Sequence, residues 1–350
     1  MAFSNSAPLG QALPDTMRVL GQRRYGGVEV LEELRLPVPM PTGADLLVRM
    51  QAVGLNPVDT KVRSNWGGFG DFQSGDPVIT GWDGAGVVAA CGPEADGRFG
   101  PGDAVMFAGS VGRAGCHREY ALVDSRLVGR CPAGLQPEEA AALPLTSLTV
   151  WEGLLEGNGQ GQLEGATVLV VGGAGGVGSN AIQMLRQVAG ARVIATASRP
   201  ESLAHCQALG AALVLDHRTD LGEQLRQQGI AGLDAVLHTS EPDANIDALL
   251  ELLRPFGQMV CLLPITRPLD TAPLFARSLR LHYELMFTRP LFNVGLERQG
   301  AILDQVAALV EAGALRSTLT TTLPWSLEHL REGHRRIESR RTIGKIVLTL

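Results

Sequence analysis

Residues 166–188, ATVLVVGGAGGVGSNAIQMLRQV, decide the fold of this chain. Residues 166–171 are a short run of apolar and β-branched side chains, which is typical of a strand buried on both faces. A glycine-rich turn follows, and Ile182, Leu185 and Val188 then recur at helical spacing with polar residues between them. Strand, glycine turn and helix in this order predict the first crossover of a doubly wound parallel sheet, an α/β fold.

The glycine-rich turn is predicted to bind a dinucleotide. It matches the GxGxxG pattern, whose glycines make the turn, admit a pyrophosphate and let the helix pack against the strand. The N-terminus of the helix offers N–H groups and a partial positive charge to the phosphates. A triphosphate-binding loop would end in Gly-Lys-Ser/Thr, which this turn does not. The predicted cofactor-binding residues here are Gly173, Gly175, Gly176, Val177 and Gly178.

The end of the next predicted strand, residues 192–196, indicates which dinucleotide is bound. An NAD site usually carries an acidic residue there, which binds the ribose 2′-hydroxyl and repels a 2′-phosphate. Here the residues from Ala195 to Pro200 include no carboxylate, and the first one is Glu201. Ser198 can donate a hydrogen bond to a 2′-phosphate, and Arg199 can donate a charge-assisted one. NADPH is therefore the predicted cofactor. The alternative for Arg199 is that it is only a solvated charge on a loop.

The composition is that of an ordinary globular enzyme. The 350 residues, 45% of them hydrophobic and 19% charged, are enough for about two domains. The net charge of −6 argues against nucleic acid or an anionic membrane as the main partner. The five cysteines are scattered, which suits a reducing compartment, and no apolar run is long enough to cross a bilayer. We therefore expect a cytoplasmic protein, whose residues 1–16 form a flexible extension unlike a signal peptide.

The order of predicted elements places the dinucleotide-binding domain in the middle of the chain. Short strands and turns before residue 142 indicate a partly open β-barrel, with strands at 46–53, 78–90, 104–107 and 120–123. Later strands alternate with helices and are predicted at 192–196, 212–215, 235–239 and 258–263. Two final strands, 317–323 and 343–348, are expected to return to the barrel. The predicted domains are residues 17–142 with 295–350, and residues 143–294.

Several stretches together resemble the medium-chain dehydrogenase/reductase superfamily and, within it, the zinc-free NADPH:quinone oxidoreductase branch. They are GLNPVDTKVR (54–63), GWDGAGVV (81–88), AAALPLTSLTVW (140–151), the glycine turn and RTIGKIVLTL (341–350). The stretch YELMFTR (283–289) is similar to a subgroup named zinc-binding alcohol dehydrogenase-like. The resemblance implies a GroES-like barrel domain beside a Rossmann domain. It also implies a homodimer through the edge of the Rossmann sheet, with strand 258–263 as the candidate edge.

The residues at the expected metal positions argue against zinc. Zinc members of the superfamily have a cysteine in the segment matched by 54–63 and a His-Glu pair in the segment matched by 81–88. This chain has Asn56 and the pair Trp82 and Asp83 there, which lack the preferred thiolate and imidazole. Adjacent Cys116 and His117, at the start of a strand, should point to opposite faces. We therefore expect no metal.

The absence of zinc ligands favours particular substrates. Hydride transfer to a simple ketone creates a basic alkoxide, which needs a Lewis acid or a strong proton donor. A quinone or an activated enone gives a delocalised phenolate or enolate, which hydrogen bonds can stabilise. We therefore predict hydride transfer from NADPH to a small-molecule quinone or α,β-unsaturated carbonyl. The alternatives are an NADPH-dependent 2-alkenal or aldehyde reductase, and a non-catalytic dinucleotide-binding scaffold or sensor.

The predicted catalytic residues come from the segment 54–63. Asn56 replaces the zinc cysteine of relatives and could hydrogen-bond the substrate oxygen or the nicotinamide ribose, although a turn residue before proline is also unremarkable. Asp59 is expected to orient this loop. Lys61 stands where many such quinone reductases have an active-site tyrosine, so it could donate a proton, or it could be solvated.

Further cofactor contacts are predicted outside the glycine turn. Thr146 and Thr149 match cofactor-contacting threonines of the family at i, i+3 spacing, with helix capping as the alternative. Ser240 and Leu263 follow predicted strands at the carboxyl edge, where such sheets bind ligands. Lys345 matches a late segment that approaches the cofactor in relatives.

The remaining aromatic and histidine side chains have weaker predictions. Trp66, Phe69 and Trp82 are candidates for the wall of a substrate pocket, although core packing is the commoner fate of such rings. No partner can be identified from the sequence for His205, His217 and His238, which are interpreted as structural or exposed. Whether residues 283–292 line the active site or a subunit interface stays open.

Overall fold

A computed structural model describes residues 13–65, 76–156 and 163–350 of the chain. Trp66 and Phe69, and most of the predicted N-terminal extension, lie outside these residues. The described residues form two compact units, one within residues 13–148 and 287–350 and the other within residues 149–286. We call them the barrel unit and the dinucleotide unit. The predicted α/β class with a β-barrel domain and a doubly wound parallel sheet is confirmed.

The described residues contain the following elements. The strands are β1 (Thr16–Gln22), β2 (Leu31–Pro37), β3 (Asp45–Gly54), β4 (Gly84–Cys91), β5 (Ala104–Phe107), β6 (Tyr120–Asp124), β7 (Val128–Arg130), β8 (Thr167–Val171), β9 (Arg192–Thr196), β10 (Leu213–Leu215), β11 (Leu233–His238), β12 (Leu253–Cys261), β13 (Arg280–Tyr283), β14 (Leu319–Pro324) and β15 (Lys345–Thr349). The helices are α1 (Pro57–Arg63), α2 (Pro137–Ala140), α3 (Pro144–Val150), α4 (Gly176–Gln187), α5 (Pro200–Ala208), α6 (Leu221–Gln227), α7 (Ile246–Leu252), α8 (Ala272–Ala276), α9 (Thr288–Phe292), α10 (Glu297–Glu311) and α11 (Leu327–Glu338). A π-helical turn, Trp151–Glu156, continues α3.

The barrel unit is built on a curled, largely antiparallel sheet. Its strand order is β14-β15-β3-β4-β5-β7, and β6 also pairs with β3. The register between β3 and β4 shifts twice, which bends the sheet as bulges do. Apolar side chains on the inner face, among them Leu46, Val48 and Phe107, form one buried cluster. The predicted strand 78–90 is wrong at its start, because β4 begins only at Gly84 and the preceding residues run outside the regular ladder.

Most of the segment interpreted as a loop at 54–63 is a helix, because α1 covers Pro57–Arg63. Asn56 precedes it with extended backbone, Pro57 occupies the first helical position, and the carboxylate of Asp59 accepts a hydrogen bond from the Asn56 N–H at 2.7 Å. Proline at the first position and an acidic side chain on the free N–H groups are typical of a helix start. The two-stranded sheet β1–β2 and helix α11 were also not predicted.

The dinucleotide unit holds a six-stranded sheet in the order β10-β9-β8-β11-β12-β13, in which every pair is parallel. The central strand β8 is buried along its whole length, as its apolar sequence predicts. The prediction that strand 258–263 forms the edge of this sheet is wrong. Strand β12 pairs with a neighbouring strand on both sides, and β13 forms that edge. In the part of the chain that the structure describes, no helix is long and apolar enough to span a membrane.

Candidate functional site

A buried ammonium group lies at the centre of the barrel unit. Nζ of Lys345 donates hydrogen bonds to Oδ1 of Asn56 at 2.6 Å, to Oδ2 of Asp83 at 2.8 Å and to the carbonyl oxygen of Leu55 at 3.0 Å. The residues Lys345, Asp83 and Asn56 are 3%, 0% and 2% exposed. The ammonium of Lys345 has three N–H donors, and each is accepted by one of these three oxygen atoms, so its charge is fully coordinated by this chain. We call Lys345, Asp83, Asn56 and Asp59 the ionic cluster.

Both oxygens of Asp83 are engaged within the ionic cluster and its surroundings. Oδ2 accepts hydrogen bonds from Lys345 and from Nδ2 of Asn56, the latter at 3.2 Å. Oδ1 accepts a hydrogen bond from the backbone N–H of Leu145 at 3.1 Å. Burial raises the pKa of Asp83 above its ordinary value, and the charge of Lys345 opposes that shift. The side-chain amide of Asn56 is thereby fixed at both ends, which makes Asn56 a structural link between α1 and β15.

Asp59 closes the cluster on the side of α1. Its carboxylate accepts hydrogen bonds from the backbone N–H groups of Asn56 at 2.7 Å and of Gly81 at 3.1 Å. Burial raises its pKa to about 7, against the lowering effects of these bonds and of Lys345. The predicted orienting role of Asp59 therefore has a geometric basis, because its carboxylate ties the start of α1 to the segment that carries Asp83.

The other residues predicted in the barrel unit lie at different depths. Lys61 is half-buried on α1, and it and Lys345 are the two lysines of the chain. Thr146 is buried on α3, where its hydroxyl donates to the carbonyl oxygens of Leu143 and Ala142 at 3.2 and 3.5 Å. Trp82 is 2% exposed and packs edge-on against Phe287, with ring centroids 6.2 Å apart, so its ring belongs to the core.

In the dinucleotide unit, two threonines hold the first residue of the glycine turn. The N–H of Gly172 donates to Oγ1 of Thr196 at 2.9 Å, and Oγ1 of Thr239 donates to the carbonyl oxygen of Val171 at 2.7 Å. Gly172 has φ of +79°, and a Cβ atom there would lie 2.5 Å from the Thr239 hydroxyl. Only glycine fits this position without strain. Neither threonine was predicted, although each ends or follows a strand at the ligand-binding edge.

The predicted glycines of the turn form a cradle that suits a pyrophosphate. Helix α4 begins at Gly176, and a Cβ atom on the preceding Gly175 would lie at ordinary contact distance, 3.5 Å from the carbonyl oxygen of Gly172. A Cβ atom on Gly178 would lie 2.3 Å from the carbonyl oxygen of Gly172, so the helix start could not pack here with a larger residue. The first N–H groups of α4, those of Gly176, Val177 and Gly178, are the ones that a helix leaves for an anion.

The remaining predicted cofactor residues lie at or near strand ends. Ser198 and Arg199 follow β9, both half-buried, and Arg199 forms an ion pair with Glu201 at 3.0 Å. Ser240 is exposed after β11, and Leu263 is half-buried after β12. Thr149 is buried on α3. The structure thus places these residues individually in the dinucleotide unit, and the cofactor contacts predicted for them stay predictions.

Two histidines for which no partner was identified do have partners. Nε2 of His205 lies 2.8 Å from the hydroxyl of Ser179, on the helix that follows the glycine turn. Nδ1 and Nε2 of His238 lie 3.0 Å from the carbonyl oxygen of Ser240 and 2.8 Å from Oδ1 of Asn245. The contact of His205 joins two helices that are 26 residues apart in sequence, whereas the partners of His238 lie within seven residues of it.

Comparison with known proteins identifies two family domains. Residues 42–133 match the model of the alcohol dehydrogenase GroES-like domain, and residues 209–348 match that of the zinc-binding dehydrogenase. A zinc-type alcohol dehydrogenase-like protein of Staphylococcus epidermidis is 33% identical over 91% of this chain and 94% of its own length.

Two further proteins are similar over different shares of the chain. A solved structure described as an NAD-dependent alcohol dehydrogenase has a TM-score of 0.82 and 32% identity, covering 95% of this chain and 100% of that one. The NADPH-dependent alkenal/one oxidoreductase of Arabidopsis thaliana chloroplasts is 34% identical over 64% of this chain and 58% of its own length.

The names of some of these relatives refer to zinc, but the residues of this chain do not fit a zinc site. Within residues 13–65, 76–156 and 163–350, no three His, Cys, Asp or Glu side chains come together as metal ligands. At the position matched to the metal ligands, Asn56 and Asp83 already coordinate the ammonium of Lys345, and Trp82 is a core residue. A zinc ion there would have to displace a buried cation, and neither Asn56 nor Trp82 supplies the preferred thiolate or imidazole.

Metal analysis of the purified protein should therefore find no stoichiometric zinc. The protein would be purified without chelator, dialysed and measured by inductively coupled plasma mass spectrometry. A zinc-containing alcohol dehydrogenase taken through the same steps is the control for metal loss. About one zinc per chain, retained after dialysis, would contradict the assignment of these positions to Lys345.

The GroES-like and dehydrogenase matches, the full-length relatives and the parallel sheet with its glycine turn agree with one another. The chain belongs to the medium-chain dehydrogenase/reductase superfamily of dinucleotide-binding oxidoreductases.

Proposed function

We propose that this protein transfers hydride from NADPH to quinones or activated α,β-unsaturated carbonyls without a metal ion. The observation that carries the proposal is the donor set at the zinc position, where the Lys345 ammonium, Asn56 and Asp83 coordinate one another. Without a Lewis acid, reduction is easiest where the negative charge is delocalised into an enolate or phenolate. The name of the Arabidopsis relative, an NADPH-dependent alkenal/one oxidoreductase, covers both the enones of this proposal and the 2-alkenals of its alternative.

The proposed roles of the residues follow from their positions. Reduced nicotinamide, when bound, supplies the hydride. The glycine turn and the first N–H groups of α4 hold the pyrophosphate. In the barrel unit, the ionic cluster fixes the start of α1, and Lys61, one turn further along this helix, is the proposed proton donor to the reduced substrate. A half-buried lysine suits that role because its pKa responds readily to its surroundings.

Turnover distinguishes this function from its alternatives. NADPH oxidation would be followed with a panel of quinones, enones, 2-alkenals and saturated aldehydes of similar size. Highest kcat/KM values for quinones or enones support the proposal, whereas a preference for 2-alkenals or aldehydes favours the alternative reductase. Binding of NADPH without turnover of any panel member favours the scaffold or sensor. Calorimetric titration with NADPH and then with NADH should come first, because it tests the cofactor independently of the substrate.

Replacing Arg199 by alanine should weaken NADPH binding about tenfold and leave NADH binding nearly unchanged. The guanidinium would lose its charge-assisted bond to the 2′-phosphate, which NADH lacks. Its ion pair with Glu201 places the side chain beside the end of β9, where the ribose is expected. Isothermal titration calorimetry measures both affinities. Arg218→Ala, at an arginine paired with Asp216 in the same unit, is the control, and equal losses for both cofactors would reject this role of Arg199.

We also propose a homodimer formed through the exposed edge of β13. Its outer side has no neighbouring strand among the described residues, and unpaired strand edges are ready to pair with a second copy. Analytical ultracentrifugation measures the mass in solution, and a monomer at micromolar concentration would contradict this proposal.

A further inference from the structure

The hydroxyl of Ser179 joins two parts of the dinucleotide unit. Ser179 is fully buried in the first turn of α4, directly after the last glycine of the motif. Its hydroxyl donates to the carbonyl oxygen of Ala174 at 3.2 Å and lies 2.8 Å from Nε2 of His205. A serine hydroxyl has one proton, and a carbonyl can only accept. Both contacts are satisfied when Ser179 donates to Ala174 and accepts from the Nε2–H of His205.

His205 lies on α5, the helix that begins at the end of β9. Arg199 is the residue that precedes this helix, and the helix start is closed by the hydroxyl of Ser202, which donates to the carbonyl oxygen of Arg199 at 2.9 Å. The next residue after His205, Cys206, is fully buried with its Sγ 3.1 Å from the position of a Cβ on Gly173. Helix α5 therefore contacts the start of α4 through His205 and the glycine turn through Cys206.

This contact connects two regions with different tasks in the proposed function. The turn between Gly172 and Gly178 is expected to hold the pyrophosphate, which NADPH and NADH share. The start of α5, with Ser198 and Arg199, is expected to meet the 2′-phosphate, which only NADPH carries. Because α5 is a rigid element of nine residues, a bond in its second turn controls where its first residues stand.

We propose that His205 is a positioning residue for cofactor selection, acting through its hydrogen bond to Ser179. This bond holds the start of α5, and with it Arg199, at a fixed distance from the glycine turn. His205 itself need not touch the cofactor. The proposal rests on the proposed binding of NADPH at this turn.

The test is a double-mutant cycle read out as cofactor preference. His205→Phe, Ser179→Ala and the double variant would each be titrated calorimetrically with NADPH and with NADH. We expect each single variant to lose about fivefold in NADPH affinity, the equivalent of one neutral hydrogen bond, and less than about twofold in NADH affinity. The double variant should lose no more than a single one, because both changes remove the same bond. His205→Gln, which retains an N–H donor, should recover part of the NADPH preference.

Controls separate the possible failures. His217→Phe, at an exposed histidine of the same unit, should leave both affinities unchanged. If the unaltered protein binds neither cofactor, or prefers NADH, the proposed function fails, whatever the variants do. If it prefers NADPH but the variants lose both cofactors equally, or the double variant shows multiplied losses, the positioning role of His205 is rejected. Thermal unfolding of each variant verifies that Ser179→Ala and His205→Gln are folded.

Discussion

Lys345→Met should lower the free energy of unfolding by about 3–5 kcal/mol, the usual effect of removing one partner from a buried ion pair. The loss would leave Asp83 as a buried carboxylate without a counter-charge, and Oδ1 of Asn56 without its donor. Burial already raises the pKa of Asp83, so the variant should hold a protonated Asp83 at neutral pH. Urea unfolding followed by tryptophan fluorescence measures the change.

Two companion variants make this prediction specific. Lys345→Met combined with Asp83→Asn removes both charges and should recover most of the lost stability, since a neutral amide can still accept from the Leu145 N–H. Lys61→Met, at the other lysine of the chain, should change the free energy of unfolding by less than about 1 kcal/mol. A Lys345→Met protein as stable as the native one would refute the buried pair. A double variant no more stable than the single one would show that packing of the lysine stem is what matters.

The parallel sheet was the part of the fold that could best be predicted from sequence. Strand β9 has the predicted boundaries, and β8 and β10 each differ from the prediction by one residue. A parallel strand that is buried on both faces consists of a few consecutive apolar residues, so it can be predicted from a short stretch of sequence. Strand β4 was predicted to start six residues early, because residues 79–83 are buried without joining the ladder.

Helix α1 shows a local signal that was present and not used. Asn56, Pro57 and Asp59 occupy the positions before, at and after a helix start where their side chains are favoured. The resemblance gave roles to single residues of this segment, whereas the spacing of the same residues favours a helix start.

The contacts of the candidate site could not have been predicted from spacing. Asp83 and Lys345 are 262 positions apart, and Asn56 and Lys345 are 289 apart. They meet because β15 pairs antiparallel with β3, which leads into α1. Lys345 was predicted as a cofactor residue from the resemblance alone, whereas its observed partners all belong to the barrel unit. Position in a motif therefore identified the right residue without indicating what it binds.

A second buried polar group in the barrel unit makes stability sensitive to acid. His117 is fully buried, and neither of its ring nitrogens has a hydrogen-bond partner among the described residues. Burial lowers its pKa to about 3. The pKa of His334, also buried, is lowered by burial and by the charges of His117 and Arg63, whose guanidinium lies 2.9 Å from Nδ1 of His334. Both imidazoles are thus held neutral in the folded protein.

The sign of the pH effect follows from these shifts. An unfolded histidine titrates at about 6.5, so between pH 6.5 and 3 the unfolded chain binds a proton at His117 that the folded chain does not. The contribution of His117 to stability is therefore complete above pH 6.5 and is lost as the pH falls toward 3. Asp59, whose pKa is raised to about 7, acts in the opposite direction, because the folded state binds the extra proton between pH 3.8 and 7. The two effects partly cancel in the native protein.

The substitution His117→Phe should separate the pH effect of His117 from that of Asp59. Its free energy of unfolding, measured relative to the native protein, should rise by about 2 kcal/mol between pH 7 and pH 5, since only the native chain loses stability through His117. Any change in packing contributes equally at both pH values and drops out of the comparison. His282, whose pKa is raised by its bond to Glu284, is the control of opposite sign, so that His282→Phe should lose relative stability in acid. Urea titrations at several pH values measure both differences, and a His117→Phe difference that does not vary with pH would mean that the pKa of His117 is the same in the folded and unfolded protein.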